Sequence, residues 1–305
     1  YHFRMPYWEH MGTFLKYFER LSYLMSQGVH QCDVAVLYPV APGQARLGGK
    51  EATEAAFAAG ETLFNYGCDF IFMDDESLER ADIHDGRLDV AGASYRVLIF
   101  PAMRAVRWST LQKARDFHRA GGIVIAGGAL PEASDRAGSE DPELNTIVEK
   151  MFSATTDAAW STLMDQINGM IVRDVQAEKG VKATHRKVGN QDIYLVMGAA
   201  KNSVVEFRAK GRAELWDPWT GTVQPLRVVG ETETGTKVEL PLEDYEAQVV
   251  VFTAGCQHIN PPPRQDTEAQ KIALDGKWEC ELQPTMDNRY GDFRLPVTDK
   301  IIGPE

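Results

Sequence analysis

The sequence has little cysteine and keeps it scattered. Cys32, Cys68, Cys256 and Cys280 stand far apart, with no CxxC pair and no Cys/His cluster. That argues against a structural zinc site, and so few cysteines define no disulfide framework. Long hydrophobic runs are also missing. Val97-Leu98-Ile99-Phe100 and Val249-Val250-Val251-Phe252 are among the longest, far short of the ~18–20 apolar residues of a membrane-spanning helix. No membrane partner is expected. Positive charge is in deficit: 32 Lys and Arg against 44 Asp and Glu give a net charge of −12 over 305 residues. An acidic chain is a poor match for phosphate backbones, so nucleic acid is not an expected partner. No GxGxxG follows a strand, so a dinucleotide site has little support. No Ser or Cys occupies a tight strand-to-helix elbow with a His partner, so no hydrolase triad or amidotransferase nucleophile is visible. What remains is ordinary globular composition, 44% hydrophobic and 25% charged, with length for two or three domains.

Hydrophobic periodicity divides the chain. Met11, Phe14, Leu15, Phe18, Leu21 and Met25 recur at spacings of three and four, which predicts an amphipathic helix over residues 7–27. Pro6 suits its start and Gly28 its left-handed stop. From Asp33 the pattern alternates between short apolar strands (33–38, 68–73, 95–100, 123–126) and helices. One helix carries an alanine face, Ala52, Ala55, Ala56 and Ala59; another is expected to open on a Ser109-x-x-Gln112 capping box. Near-continuously apolar strands alternating with helices predict a doubly wound parallel sheet, covered on both faces, over residues 31–172. From about residue 180 the period falls to two. Seven strand candidates (181–188, 192–197, 203–208, 213–216, 222–228, 236–240, 247–253) separated by turns predict an all-β sandwich over 173–256. Pro261-Pro262-Pro263 and alternating charge mark 257–276 as a linker. Residues 277–305 alternate again and are expected to begin a further β-sandwich.

Few segments invite chemistry. Gly43 to Glu51 follows a strand and opens a helix, but Gly49 displaces Lys50 by one position and Glu51 replaces the hydroxyl of a phosphate loop. A flexible βα loop is the favoured reading. Asp74, Asp75 and Glu76 could hold a cation or do acid–base work, but acidic residues opening a helix explain them more simply. The opening segment, including Tyr7, Trp8, Glu9 and His10, is dense in aromatics, His and Arg. Aromatic rings stack on sugar faces, so these four are candidate substrate-binding residues, against a plain core-packing entry to the helix. Glu9 alone cannot supply the two carboxylates of glycoside hydrolysis, and His2 with His10 lacks a third metal ligand. Trp216 and Trp219 read as a capped hairpin, and Asp287 to Asp292 as a plain turn rather than a calcium loop.

Trp8-Glu9-His10, the run Tyr17 to Gly28, and Asp33-Val34-Ala35-Val36-Leu37-Tyr38-Pro39 resemble the large bacterial α-L-rhamnosidase-like glycoside hydrolases, family 106 and relatives. Glu214 to Gly221 and Trp278 through Arg294 resemble later segments of those proteins, in the same order. The resemblance implies that residues 1–30 are the last loop and helix of a truncated (β/α)8 catalytic barrel. Active sites lie at the loop face of such barrels, which would place Tyr7 to His10 at the rim of a sugar pocket. It also implies that 31–172 is a flavodoxin-like accessory domain similar to that of some β-galactosidases. The catalytic carboxylates would lie upstream of Tyr1.

The expected function is thus part of a glycoside hydrolase acting on rhamnose-containing plant polysaccharide, inactive by itself. Carbohydrate is the expected partner. No cofactor is expected in this chain, and the parent enzyme could use a divalent cation such as calcium. A non-catalytic carbohydrate-binding or homo-oligomerisation module is the alternative, and an amidotransferase-like or flavodoxin-like enzyme a weaker third. The chain starts without Met or a signal peptide and ends soon after a fresh strand, so truncation is expected. The expected location of the parent is periplasmic or extracellular.

Overall fold

The computed structural model describes residues 7–152, 164–165, 167–178, 180–199, 203–241, 246–262, 273 and 275–279. A 3-10 turn at Trp8–His10 leads into helix α1 (Met11–Ser26) and a short strand β1 (Val29–His30). Next come β2 (Val34–Leu37), helices α2 (Val40–Ala45) and α3 (Gly49–Asn65), β3 (Phe70–Met73) and α4 (Asp75–Arg80). A meander of β4 (Asp82–His84), β5 (Arg87–Val90) and β6 (Ala93–Tyr95) precedes β7 (Val97–Pro101). Then follow β8 (Ala105–Val106), α5 (Trp108–Arg119), β9 (Ile123–Gly127), β10 (Ala133–Ser134), β11 (Gly138–Ser139) and α6 (Pro142–Phe152). The remainder is β-rich: β12 (Val175–Ala177), β13 (Lys182–Val188), β14 (Gln191–Met197), β15 (Val204–Phe207), β16 (Arg212–Trp216), β17 (Val223–Pro225), β18 (Arg227–Glu231), β19 (Thr236–Glu239) and β20 (Ala247–Thr253). Among the described residues no helix is long and apolar enough to cross a membrane.

Strands β3-β2-β7-β9 form a parallel sheet in that order. The runs Val34–Leu37 and Val97–Pro101 are buried at every position, because successive residues point to opposite faces and both faces are covered. Ala35, Leu37, Leu98 and Phe100 meet Leu111, Ala114 and Phe117 of α5 and Leu144 and Ile147 of α6. Val34, Val36, Val97 and Ile99 meet Ala56, Ala59 and Leu63 of α3. The alanine face lets α3 lie close to the sheet. At Gly60 a Cβ would stand 2.4 Å from the ring of Phe70, so only glycine fits that approach.

Two local expectations are corrected. The capping box does not form: α5 has no side-chain cap from its own N-cap residue. Instead Asp135 Oδ1 accepts from Trp108 N at 2.7 Å, and the Ser109 hydroxyl donates to Glu79 at 2.6 Å. The helix starts one residue before Ser109, with Arg107 at the N-cap, so Ser109 lies inside the first turn and a distant carboxylate takes the free N–H of Trp108 instead. The segment from Gly43 is also not a plain loop. Its first residues belong to α2, and Arg46 (φ 56°) and Gly48 (φ 70°) make a left-handed turn into α3.

The β-rich part consists of a six-stranded sheet, β1-β13-β14-β20-β16-β17, and a four-stranded sheet, β12-β15-β19-β18. One hydrophobic cluster joins them, with Tyr194, Val196, Val250 and Phe252 from the first sheet against Val205, Phe207 and Val238 from the second. The stretch expected as one strand over 222–228 is two. Val223–Pro225 pairs in the six-stranded sheet and Arg227–Glu231 in the four-stranded one, with buried Leu226 at the crossing. A proline has no N–H to continue a ladder, which favours the change of partner there.

Helix α1 lies on the outer face of the six-stranded sheet. Leu21, Leu24 and Met25 pack against Ile193, Val249 and Val251. Gly28 ends the helix at φ 60°, where a Cβ would come 2.0 Å from Lys187 O. Residues 29–30 then pair with β13, so β1 ties the start of the chain to the antiparallel sheet before β2 enters the parallel one.

Candidate functional site

Tyr7, Trp8, Glu9 and His10 fall on one turn, closed by His10 N donating to Tyr7 O at 2.9 Å. Tyr7, Trp8 and His10 are exposed, Trp8 at 47%. An aromatic stripe continues along α1. Phe14 meets Phe18 edge-to-face, Tyr17 meets Phe18, and Tyr17 stacks on Trp219 with ring centroids 4.2 Å apart. Trp219 sits in the hairpin turn between β16 and β17. That turn is fastened to the helix by Arg20 Nη1, which donates to Pro218 O at 2.9 Å and Trp219 O at 2.7 Å. Trp216 packs toward α1 on the other side of the turn. The two tryptophans therefore anchor a helix as well as bounding a hairpin. His2 and the Asp287–Asp292 turn lie outside the described residues.

At the C-terminal ends of parallel strands, where open α/β sheets bind ligands, the molecule fills its own crevice. Ala102 and Met103 are buried, and Ala102 sits at φ 46° with its N–H donating to Gly127 O at 2.6 Å. Asp74 caps α4 through Ser77 N at 2.6 Å. Asp75 is buried, accepts from the Thr110 hydroxyl at 2.8 Å and faces Arg107 at 3.6 Å. Burial pushes its carboxyl up, opposed by Thr110 and Arg107. Glu79 shares Thr110 and Arg107, so these carboxyls bind α4 to α5 beneath the surface. Among the described residues no group of three or more His, Cys, Asp or Glu is arranged to hold a metal ion.

The densest chemistry lies where the parallel sheet meets the antiparallel ones. Asp33, at the entry to β2, is held by Arg87 of β5 and Arg208 beyond β15. Asp69, just before β3, accepts from His30 Nε2 at 2.6 Å and from His185 N at 2.8 Å. Asp174 accepts from Asp69 N at 2.9 Å and bonds His185 Nδ1 at 3.2 Å. His185 Nε2 reaches Asp192 at 3.0 Å, and Lys187 donates to Asp192 at 2.7 Å. His185 also stacks on Tyr194, with centroids 4.0 Å apart. Asp33, Asp69, Asp174, His185 and Asp192 are all buried. Burial alone would lower the His185 pKa, but its bonds to Asp174 and Asp192 raise it overall. Burial pushes Asp174 up against the pull of His185. Part of the network, Asp33, Arg87, His185, Asp192 and Arg208, lines a cavity of about 260 Å³.

Within this cavity Cys32 Sγ lies 3.9 Å from His30 Nδ1, whose other nitrogen meets Asp69. The order Cys–His–Asp matches a nucleophile, a base and an orienting acid. The electrostatics oppose that role. Burial, then Asp69, Asp174 and Asp33, drives the thiol far above the ordinary cysteine range. Reactive cysteines need an electropositive surrounding that favours the thiolate, so Cys32 is an inert core thiol. The junction was not singled out from sequence. Its only signal was a lone charge at the edge of an apolar run: Asp33 before Val34, Asp69 before Phe70, Asp192 before Ile193.

The family profile described as alpha-L-rhamnosidase, of glycoside hydrolase family 106, matches residues 1–229. A protein of Formosa agariphila, provisionally named a beta-glucuronidase, is 25% identical over 97% of this chain and 26% of its own length. The structure of a rhamnosidase from Novosphingobium sp. PP1Y superposes with a TM-score of 0.63 at 20% identity, over 85% of this chain and 26% of that one. An alpha-L-fucosidase isoenzyme 2 from Paenibacillus thiaminolyticus gives 0.50 at 14% identity, over 77% of this chain and 51% of that one. These structures share the mixed α/β fold. The chain spans about a quarter of the length of the first two relatives.

Proposed function

The chain belongs to the α-L-rhamnosidase family of glycoside hydrolases, and from that premise we propose that it is the accessory part of a longer enzyme whose catalytic carboxylates lie outside these residues. The carrying observation is what the described carboxylates do. Glycoside hydrolysis needs two carboxyl groups facing an open site about 5–10 Å apart. Here Asp33, Asp69, Asp174 and Asp192 are buried in ion pairs and backbone bonds, and Asp75 is buried under Arg107. Asp33 and Asp192 do line the junction cavity of about 260 Å³, but each is tied there to cationic partners, Arg87 and Arg208 for the first and His185 and Lys187 for the second.

On this proposal the parallel-sheet unit is a flavodoxin-like accessory domain, and the order β3-β2-β7-β9 agrees with the start of that topology. The two antiparallel sheets make a sandwich behind it. The exposed stripe of α1 faces the catalytic unit, so Tyr7, Trp8, Glu9 and His10 rim its sugar pocket. The substrate is a rhamnose-containing plant polysaccharide. A divalent cation such as calcium, if the parent uses one, has no cluster of His, Cys, Asp or Glu to hold it among the described residues. The test is direct. The purified chain is expected to leave an aryl α-L-rhamnoside intact while the full-length protein hydrolyses it. Saturable hydrolysis by the chain alone would overturn the proposal.

A further inference from the structure

We propose that the open end of the two-sheet β unit is a saccharide-binding site, which takes one or two neutral sugar units. The cavity there has a volume of about 410 Å³, within the ~300–1,000 Å³ of small-molecule sites. Gln248 precedes Val250 and Phe252 at even spacing on β20, so its side chain points between the sheets as theirs do. Val250 and Phe252 fill the core, whereas Gln248 stands where the core gives out. Its amide oxygen is buried with no hydrogen-bond partner. Leaving such an acceptor unmet costs about 1–3 kcal/mol, and a turn of the Gln248 amide toward the cavity it lines would let a ligand hydroxyl remove that cost.

The rest of the wall suits the same ligand. Gln224, Arg227 and Glu239 also line the cavity. Arg227 faces Glu239 at 4.0 Å, so the pair offers donors and acceptors with no net charge. That set fits the vicinal hydroxyls of a neutral sugar better than an anion. Leu226 and Pro262 supply apolar surface for the C–H face of a ring. The rim is built in advance. His258 Nδ1 accepts from Ala213 N of the six-stranded sheet at 3.3 Å. Asn260 accepts from Val228 N of the four-stranded sheet at 2.8 Å and returns a bond to Val228 O at 3.2 Å. The strap carrying Pro262 is thereby fixed to both sheets across the opening.

The choice of sugar rests on the glycoside-hydrolase reading above; the cavity itself does not. Methyl α-L-rhamnopyranoside, methyl β-D-galactopyranoside and methyl β-D-glucuronide are titrated into the chain and followed by NMR of the glutamine side-chain amides. Saturable shifts at Gln248 and Gln224 with at least one neutral glycoside are expected. Gln248→Leu is expected to weaken binding about tenfold or more with the thermal midpoint retained or raised. Should that variant not fold, Arg227→Met on the rim is expected to weaken binding similarly. No saturable shift with either neutral glycoside, binding of the glucuronide alone, or unchanged affinity in a folded variant would overturn the site. Hydrolysis by the full-length protein is scored separately, so an inactive enzyme that still binds sugar here would sink the family substrate and leave this cavity standing.

Discussion

Helix α1 and the charged junction are joined by a few residues, yet they handle opposite burdens. α1 leaves Phe14, Leu15, Phe18 and Tyr23 exposed, Leu15 at 59%. The junction hides five charged or titratable side chains, Asp33, Asp69, Asp174, His185 and Asp192. Exposed apolar surface forgoes about 25 cal/mol per Å² and can be covered by any partner of matching shape. A buried charge leaves no such latitude, because each unpaired one costs several kcal/mol and must find its counterpart inside the fold. The junction accordingly closes on itself, whereas along α1 Trp219 covers Tyr17 and leaves Phe14, Leu15, Phe18 and Tyr23 exposed. The difference separates what holds the two kinds of sheet together from what is left to bind something else.

The sharpest way to break this contrast is at Asp174. Asp174→Ala removes the acceptor of Asp69 N and one of the two carboxylates on His185. Removing one partner of a buried ion pair costs about 3–5 kcal/mol, and urea unfolding should show a loss of that size. A loss under about 1 kcal/mol would mean that the network is ornamental and that apolar contact alone joins the units.

A smaller effect should come from pH. His185 has a raised pKa, so its imidazolium stabilises the fold fully below the ordinary histidine value of ~6.5 and the contribution is lost as pH rises through the raised one. Asp192 works the other way. Burial opposes ionisation, but His185 and Lys187 hold its carboxyl below the usual range, so its share is lost only in acid. Asp174 is raised and loses stability as pH rises from the unfolded carboxylate range upward, ahead of His185. Above pH ~6.5 the thermal midpoint should fall in the unsubstituted chain and run flatter in His185→Gln. Parallel curves for the two proteins would remove His185 from the account.

The unequal legibility of these regions has a physical cause. Local periodicity exposes a helix whose apolar stripe repeats every three or four residues, so α1 and its stop at Gly28 could be read directly. The parallel sheet was legible for the same reason: Val34–Leu37 and Val97–Phe100 are apolar throughout because both faces are covered. The junction bonds span up to 175 residues, as between Asp33 and Arg208, and no local pattern encodes such a pairing. The Asp135 cap on α5 and the crossing of sheets at Leu226 escaped for the same reason. Both depend on which distant group arrives, and a Ser-x-x-Gln signature carries no information about its competitors. Of the candidate site, the cluster Tyr7 to His10 was visible as composition, but its continuation through Tyr17 to Trp219 needed the fold.

The smallest expected effect tests the other side of the contrast. Leu15→Ser lies on the uncovered stripe, where the side chain contributes little to this chain's own packing. Surface changes of that kind stay within about 0.5 kcal/mol, so urea unfolding of the chain should barely move, while binding of a hydrophobic dye should drop. If Leu15→Ser instead cost more than about 2 kcal/mol, the stripe would be packed in solution, by self-association or by residues outside the described set. On the proposal that the chain is part of a longer enzyme, the same substitution in that enzyme separates these cases: a stripe that faced a catalytic unit would become costly only there, and the cost would report the apolar area buried against α1.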